Sequence, residues 1–348
     1  MATSNNFTII RLILAMMVIY SHSYAVTGHP EPTMLGRSFG NLAVHGFFVL
    51  SGFLITESYL RSGDLQSFAI KRFFRIIPAL VPAHFFAAFL FNYFAGYASN
   101  PYPGLKNGPL WTLPWEGLMY TSIGIFGVLQ ILDRKIITSC LALGMLLVFT
   151  KIGTRNDSVE IIAPLMLLFV TGSFIRLSQD YLNLRKFGIA SAVVLALLFM
   201  PVLSDHAWKI LHRLPWAWGP SLDFYQFRFF PYILAFSFFM IFLARHFFYS
   251  IKIDVDLSYG VYIFGWPIQQ SAVAIIKSHG FSLHPLLLFA ISVFLTTVIA
   301  AASWFFVERP MIQLGHRLVS KTKHGDKSIS HSINIAPREI ISHECPHT

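Results

Sequence analysis

Arg11 and His22 fall inside an apolar run, Phe7 to about Val26, that reads as a membrane span. Ionisable side chains in a span are costly, and they mark a functional site by default. At ~100° and ~1.5 Å per residue, the step from Arg11 to His22 returns to nearly the same helix face ~16 Å further along. Arg11 is therefore expected near one membrane face and His22 in the opposite half. A snorkelling Arg and a packed His are the bland alternative. Three further groups bear on the choice. His45 enters a second run at a depth like that of His22, where it can serve a site or simply pack. Arg72 and Arg75, preceded by Lys71, stand three residues apart and share a helix face. Such a pair grips phosphate bidentately, although lipid headgroups would also satisfy it. Glu116 opens a fourth run, with Trp111 before it and Tyr120 one turn deeper. A carboxylate beside an imidazole in low dielectric makes an acid/base unit, so Glu116 is expected to orient His22. Ser51 could act as a nucleophile, but a helical Ser more often bonds its own backbone.

Composition says what must position these groups. The 348 residues are 55% hydrophobic and 12% charged, with 35 Phe. Soluble domains carry about 25% charged residues. An all-α integral membrane protein is expected, a bundle of about ten transmembrane helices. The apolar runs are 7–27, 40–60, 76–95, 112–130, 136–152, 161–177, 187–204, 229–245, 257–277 and 286–307. Each can cross a bilayer core, and none alternates as a barrel strand would. Lys and Arg are denser in the even connections and the tail than in the odd ones, which gives an N-in, C-in topology. That bias also accounts for the net charge of +10 without nucleic acid. No cleavable signal peptide is read at the start. Two domains follow: 1–310 as the transmembrane unit, and 311–348 as a basic, disordered cytoplasmic tail. Cys140 and Cys345 are not expected to pair, and the tail histidines are too scattered for a metal.

Six ordered motifs carry a resemblance. They are Arg11 with His22, Phe47 to Ile55, Lys71 to Pro78, Trp111 to Glu116, Ser258 to Tyr262, and Glu308-Arg309-Pro310. Together they resemble the membrane acyltransferase 3 family over residues 7 to about 312. The resemblance implies transfer of an acyl group, usually acetyl, from cytoplasmic acyl-CoA to a hydroxyl of an extracytoplasmic or membrane-linked carbohydrate. It implies that the pair like Arg11 and His22 is functional, and that the motif like Arg72 and Arg75 acts on the cytoplasmic side. Two positions depart from the pattern. His45 stands where many members have an acidic residue, and Gly265 where many have His. No appended esterase-like soluble domain is expected.

The expected site assigns catalysis to His22, Glu116 and Arg11, the acyl-CoA end to Arg72, Arg75 and Lys71, and the acceptor to His45, Tyr120 and Trp111. No metal and no permanently bound cofactor are expected. The partners are acyl-CoA, a carbohydrate and the lipid bilayer, in the inner membrane; oligomeric state is left open. His22 would take the sugar hydroxyl's proton as it attacks the thioester; an acyl-His intermediate is the other route. Aromatics in the connection 205–228 could stack on sugars or form an interfacial belt. The rival class is a proton-coupled transporter, but the corresponding broken helices that would signal one are not found.

Overall fold

The computed structural model describes residues 6–35, 37–151, 157–200, 224–247 and 255–333. Helix α1 (Phe7–Thr27) is followed by a short antiparallel hairpin, β1 (Thr33–Met34) with β2 (Arg37–Ser38), in which Thr33 pairs with Ser38. Ser38 then caps α2 (Phe39–Ser62) by accepting from the Asn41 N–H. Asp64 caps α3 (Leu65–Tyr93) in the same way from Ser67. Next come α4 (Leu113–Val128), α5 (Arg134–Lys151), α6 (Asp157–Ser178), α7 (Leu184–Phe199) and α8 (Phe224–Phe242). Helices α9 (Ser258–Ser278), α10 (Pro285–Ser303) and α11 (Arg309–Ile333) complete the order. A π-helical turn, Trp304–Glu308, joins α10 to α11.

Each of the ten apolar runs has a helix over its described residues. Six stretches are long and apolar enough to cross a membrane: Phe7–Thr27, Phe39–Ser62, Leu65–Tyr93, Ile161–Ser178, Phe229–His246 and Pro285–Lys321. The chain is a multi-pass helical membrane protein. The boundary expected after residue 310 is not a break in structure, because α11 carries the helix to Ile333. Residues 334–348, with Cys345, lie outside the described residues, as do 201–223, which hold most of the expected aromatic connection.

Lipid tails are as apolar as Leu, so helices in a bilayer are held by close packing of small residues and by buried polar bonds. Both occur here. Gly52 of α2 lies against the backbone carbonyl of Phe169, and Gly172 of α6 against that of Val49. A Cβ at either would overlap backbone, so the two helices touch only because both positions are Gly. Helix α9 is the central post, with every residue from Gly260 to Ser271 buried. Gln269 ties it to α1, donating to the Ile19 carbonyl (2.8 Å) and to Ser23 Oγ (2.7 Å).

The segment before α4 is the least regular part of the interior. Asn100 Nδ2 donates to Gln270 Oε1 (2.7 Å), and Asn107 Nδ2 to the Ile263 carbonyl (2.8 Å). Thr112 Oγ1 lies 2.8 Å from the Tyr262 hydroxyl. Residues 100–112 therefore run down α9 from Gln270 to Tyr262 before α4 begins. Non-helical backbone at this depth is tolerated because it is buried in protein and bonded to it.

Candidate active site

Helices α1, α2, α3, α4 and α9 enclose a cavity of about 910 Å³. Its wall on α2 is the stripe Val44, Phe47, Phe48, Ser51, Leu54 and Ile55, whose spacing keeps one helix face turned inward. On α3 it extends from Arg72 to Phe85, ~20 Å of helix. Phe73, Val81 and Phe85 line it while remaining exposed, so the cavity opens sideways at α3 toward the bilayer. Apolar walls with a few convergent polar groups are the usual make-up of a small-molecule site.

Those polar groups collect toward the end where α1, α3 and α9 meet. Arg11, Arg72 and Arg75 line the cavity together with Ser51, Glu116, Tyr120, Ser258, Tyr259 and Tyr262. Tyr120 donates to Glu116 Oε2 at 2.8 Å and is also bonded to Ser51. Arg72 donates to Ser58 Oγ (2.9 Å), and its Nε is buried without a hydrogen-bond partner among the described residues. Arg11 and Arg75 both reach Asp256, Arg11 at 2.9 Å. Asp256 sits just before α9, outside the spans. Burial raises its carboxyl, but Arg11 and Arg75, with the bonds from Ser258, outweigh that and hold it at about 2.

The expected residues therefore divide into two sets. Arg11, Arg72, Arg75, Glu116 and Tyr120 share the cavity; His22, His45, Lys71 and Trp111 do not line it. His22 packs edge-to-face on Trp266, with ring centroids 4.9 Å apart, one turn of α9 beyond Tyr262. Its Nδ1 is buried and has no hydrogen-bond partner among the described residues. The expected bond between Glu116 and His22 is not formed, because Glu116 accepts from Tyr120 instead. The reason is the descending segment 100–112. It delivers α4 to the level of Tyr262, deeper than a helix that starts at the surface, so Glu116 belongs with Arg11. His45 is buried against α8, its Nδ1 2.6 Å from the Tyr232 hydroxyl. Lys71 donates to Ser62 Oγ (3.0 Å), and Trp111 is exposed.

Sequence reasoning missed Asp256 and His84. Asp256 was legible as an acidic residue two positions before the Ser258-Tyr259 motif. His84 lines the cavity from the third apolar run, and the same signal that singled out His22 would have found it. Among the described residues, no three His, Cys, Asp or Glu gather as a metal site.

Comparisons with known proteins give the chain a family. The model of the acyltransferase domain family, the third acyltransferase family of that naming, matches residues 4–305. The O-acetyl transferase of Shigella phage Sf6 is 30% identical over 341 residues, covering 89% of this chain and 96% of that one. Nodulation protein 10 of Rhizobium leguminosarum bv. viciae is 26% identical over 363 aligned residues, covering 91% and 95%. No solved structure matches the chain.

Proposed function

This chain belongs to the acyltransferase 3 family, and from that premise we propose that it transfers an acetyl group from acetyl-CoA to a hydroxyl of a membrane-linked or extracytoplasmic carbohydrate. The observation that carries the reading is the cavity itself: three guanidiniums at one end, and ~20 Å of mostly apolar wall leading away from them. That shape suits a donor with an anionic nucleotide at one end and a long, thin thioester arm.

In this reading ten helices span the inner membrane with both chain ends in the cytoplasm. The CoA phosphates meet Arg72, Arg75 and Arg11 at the cytoplasmic end, and the arm runs up the cavity past Glu116. The thioester reaches the level of His22 and Trp266. The acceptor hydroxyl attacks the thioester carbonyl, forming the C–O bond. His22 takes the hydroxyl proton on the nitrogen that has no partner in the resting site. The C–S bond then breaks, and the CoA thiolate leaves and picks up a proton. Glu116 and Tyr120 line the arm's route and hold Ser51 in place. Arg11 stands at the start of that route.

Purified protein in lipid nanodiscs, given acetyl-CoA and a bacterial surface glycan, tests this. Release of free CoA with a one-acetyl mass gain on the glycan is the expected result. Proton-coupled uptake of a solute without CoA release would favour a transporter instead.

A further inference from the structure

The donor end of the cavity contains a carboxylate that touches two of its three guanidiniums without lining the cavity itself. Asp256 Oδ2 accepts from Arg11 of α1 and from Arg75 of α3. Its Oδ1 accepts from the Ser258 N–H (3.2 Å) and the Ser258 hydroxyl (2.5 Å). Both oxygens are thus committed, one to the arginines and one to the first turn of α9. That helix is 21 residues long, and its N-terminus favours a negative charge. The carboxylate is therefore fixed to the central post of the bundle rather than carried on a loose loop.

Two guanidiniums from separate helices repel each other when brought to one spot. A shared carboxylate oxygen offsets that repulsion and sets their spacing. Each guanidinium has five donors in a rigid fork, so a bond to Asp256 leaves others for a ligand. Arg75 is further held over the Trp304 ring, 5.6 Å from its centroid. Arg72 has no carboxylate within salt-bridge distance among the described residues.

We propose that Asp256 is a positioning residue of the donor site, pinning Arg11 and Arg75 from behind so that they meet the phosphates of the acyl donor as one preformed clamp. The inference rests on the acyl-CoA reading above. Asp256 stands behind the arginines, so it aligns them and does not compete with the donor. Its carboxyl lies at about 2, below the ordinary carboxylate value, so the tie is complete above that ordinary value. It is lost only as pH falls through about 2. The clamp is thus permanent at any working pH.

The test is direct binding of CoA to the purified full chain in nanodiscs by titration calorimetry, beside turnover with acetyl-CoA and with acetyl-pantetheine, which lacks the phosphates. Asp256→Asn keeps the shape and an acceptor for Ser258 but loses the charge. Its CoA affinity should fall about tenfold, the factor equivalent to ~1.4 kcal/mol. Turnover with acetyl-pantetheine should stay within about twofold, since uniform binding lost at the phosphates leaves chemistry intact. Asp256→Glu should recover part of the affinity. If Asp256→Asn does not fold, Ser258→Ala loosens the carboxylate without removing it and should weaken CoA binding a few-fold, about one lost hydrogen bond. Equal CoA affinity in wild type and variant overturns the positioning role. So does tighter binding by the variant, which would make Asp256 a competitor of the donor, and so does an equal loss with both donors. Wild type that binds no CoA overturns the acyl-CoA reading and this inference together.

Discussion

The two ends of α1 hold their ionisable residues in opposite ways. Toward the N-terminal end, Arg11 is tied to Asp256 and shares that carboxylate with Arg75, beside a cavity that also holds Arg72, Glu116 and Tyr120. Toward the C-terminal end, His22 is packed against Trp266, its Nδ1 without a hydrogen-bond partner among the described residues. One end is a cluster of charged groups already tied together; the other is a lone imidazole. Buried polar groups are normally hydrogen-bonded, so the orphan nitrogen of His22 calls for a reason, and the proposed function supplies one in the acceptor hydroxyl. In the proposed function the two residues of this motif divide the reaction: Arg11 stands with the donor and His22 moves the proton. The orphan nitrogen also separates His22 from His45, which does not share the depth of His22 as the sequence led one to expect. Its neighbour Gly46 packs on Leu14, nearer Arg11 along α1, while Gly40 is the α2 residue level with Ser21, and His45 spends its Nδ1 on Tyr232.

Substitutions at the two ends should therefore fail differently. The largest effect is expected from His22→Ala. Removing a general base lowers turnover by roughly 10²–10⁴-fold, while CoA affinity in the same preparation should be unchanged. Turnover near wild type would remove His22 from the chemistry. Arg72→Ala with Arg75→Ala should show the reverse pattern. Loss of charge-assisted bonds worth ~1.5–3 kcal/mol each weakens CoA binding by at least ~100-fold, and binding should lose much of its salt sensitivity because the pairing charges are gone. Unaltered CoA binding would return the pair to lipid anchoring.

Glu116→Gln is an intermediate case. The amide oxygen can still accept from Tyr120 but carries no charge, so we expect about a tenfold fall in turnover, the size of the difference between a charged and a neutral hydrogen bond. A loss as large as that of His22→Ala would mean that Glu116 acts on the base after all. Tyr232→Phe should have the smallest effect on activity. It leaves His45 Nδ1 buried and unpaired, costing ~1–3 kcal/mol of stability in thermal unfolding, with turnover within about twofold. A large activity loss in a well-folded variant would make His45 part of the site.

The fold was legible in the sequence because hydrophobic runs report directly on spans; each of the ten runs carries a helix over its described residues. The grouping of site residues was only half legible. Counting residues from a membrane face gives depth along a helix that starts at the surface. That held for α1, where Arg11 and His22 stand far apart along one helix. It failed for α4, because residues 100–112 descend along α9 before the helix begins, held by Asn100, Asn107 and Thr112. Hydrophobic periodicity does not mark such a segment, an irregular stretch ending in one short 3₁₀ turn (Gly108–Thr112) and anchored to α9 by side-chain bonds. Depth also says nothing of direction around the axis. His45 and Ser51 both belong to α2, yet Ser51 faces the cavity and His45 faces α8. Asp256 went unread because its partners lie on two distant helices, 245 and 181 residues away.

The proposed division of labour along α1 has a consequence for sidedness that can be measured directly. Sealed vesicles of known orientation, with the glycan acceptor on the extracytoplasmic side, are given acetyl-CoA on one side at a time. The account predicts acetylated glycan when acetyl-CoA is supplied at the cytoplasmic face, and none when it is supplied only with the acceptor. Acetylation that requires donor and acceptor on the same side would contradict it.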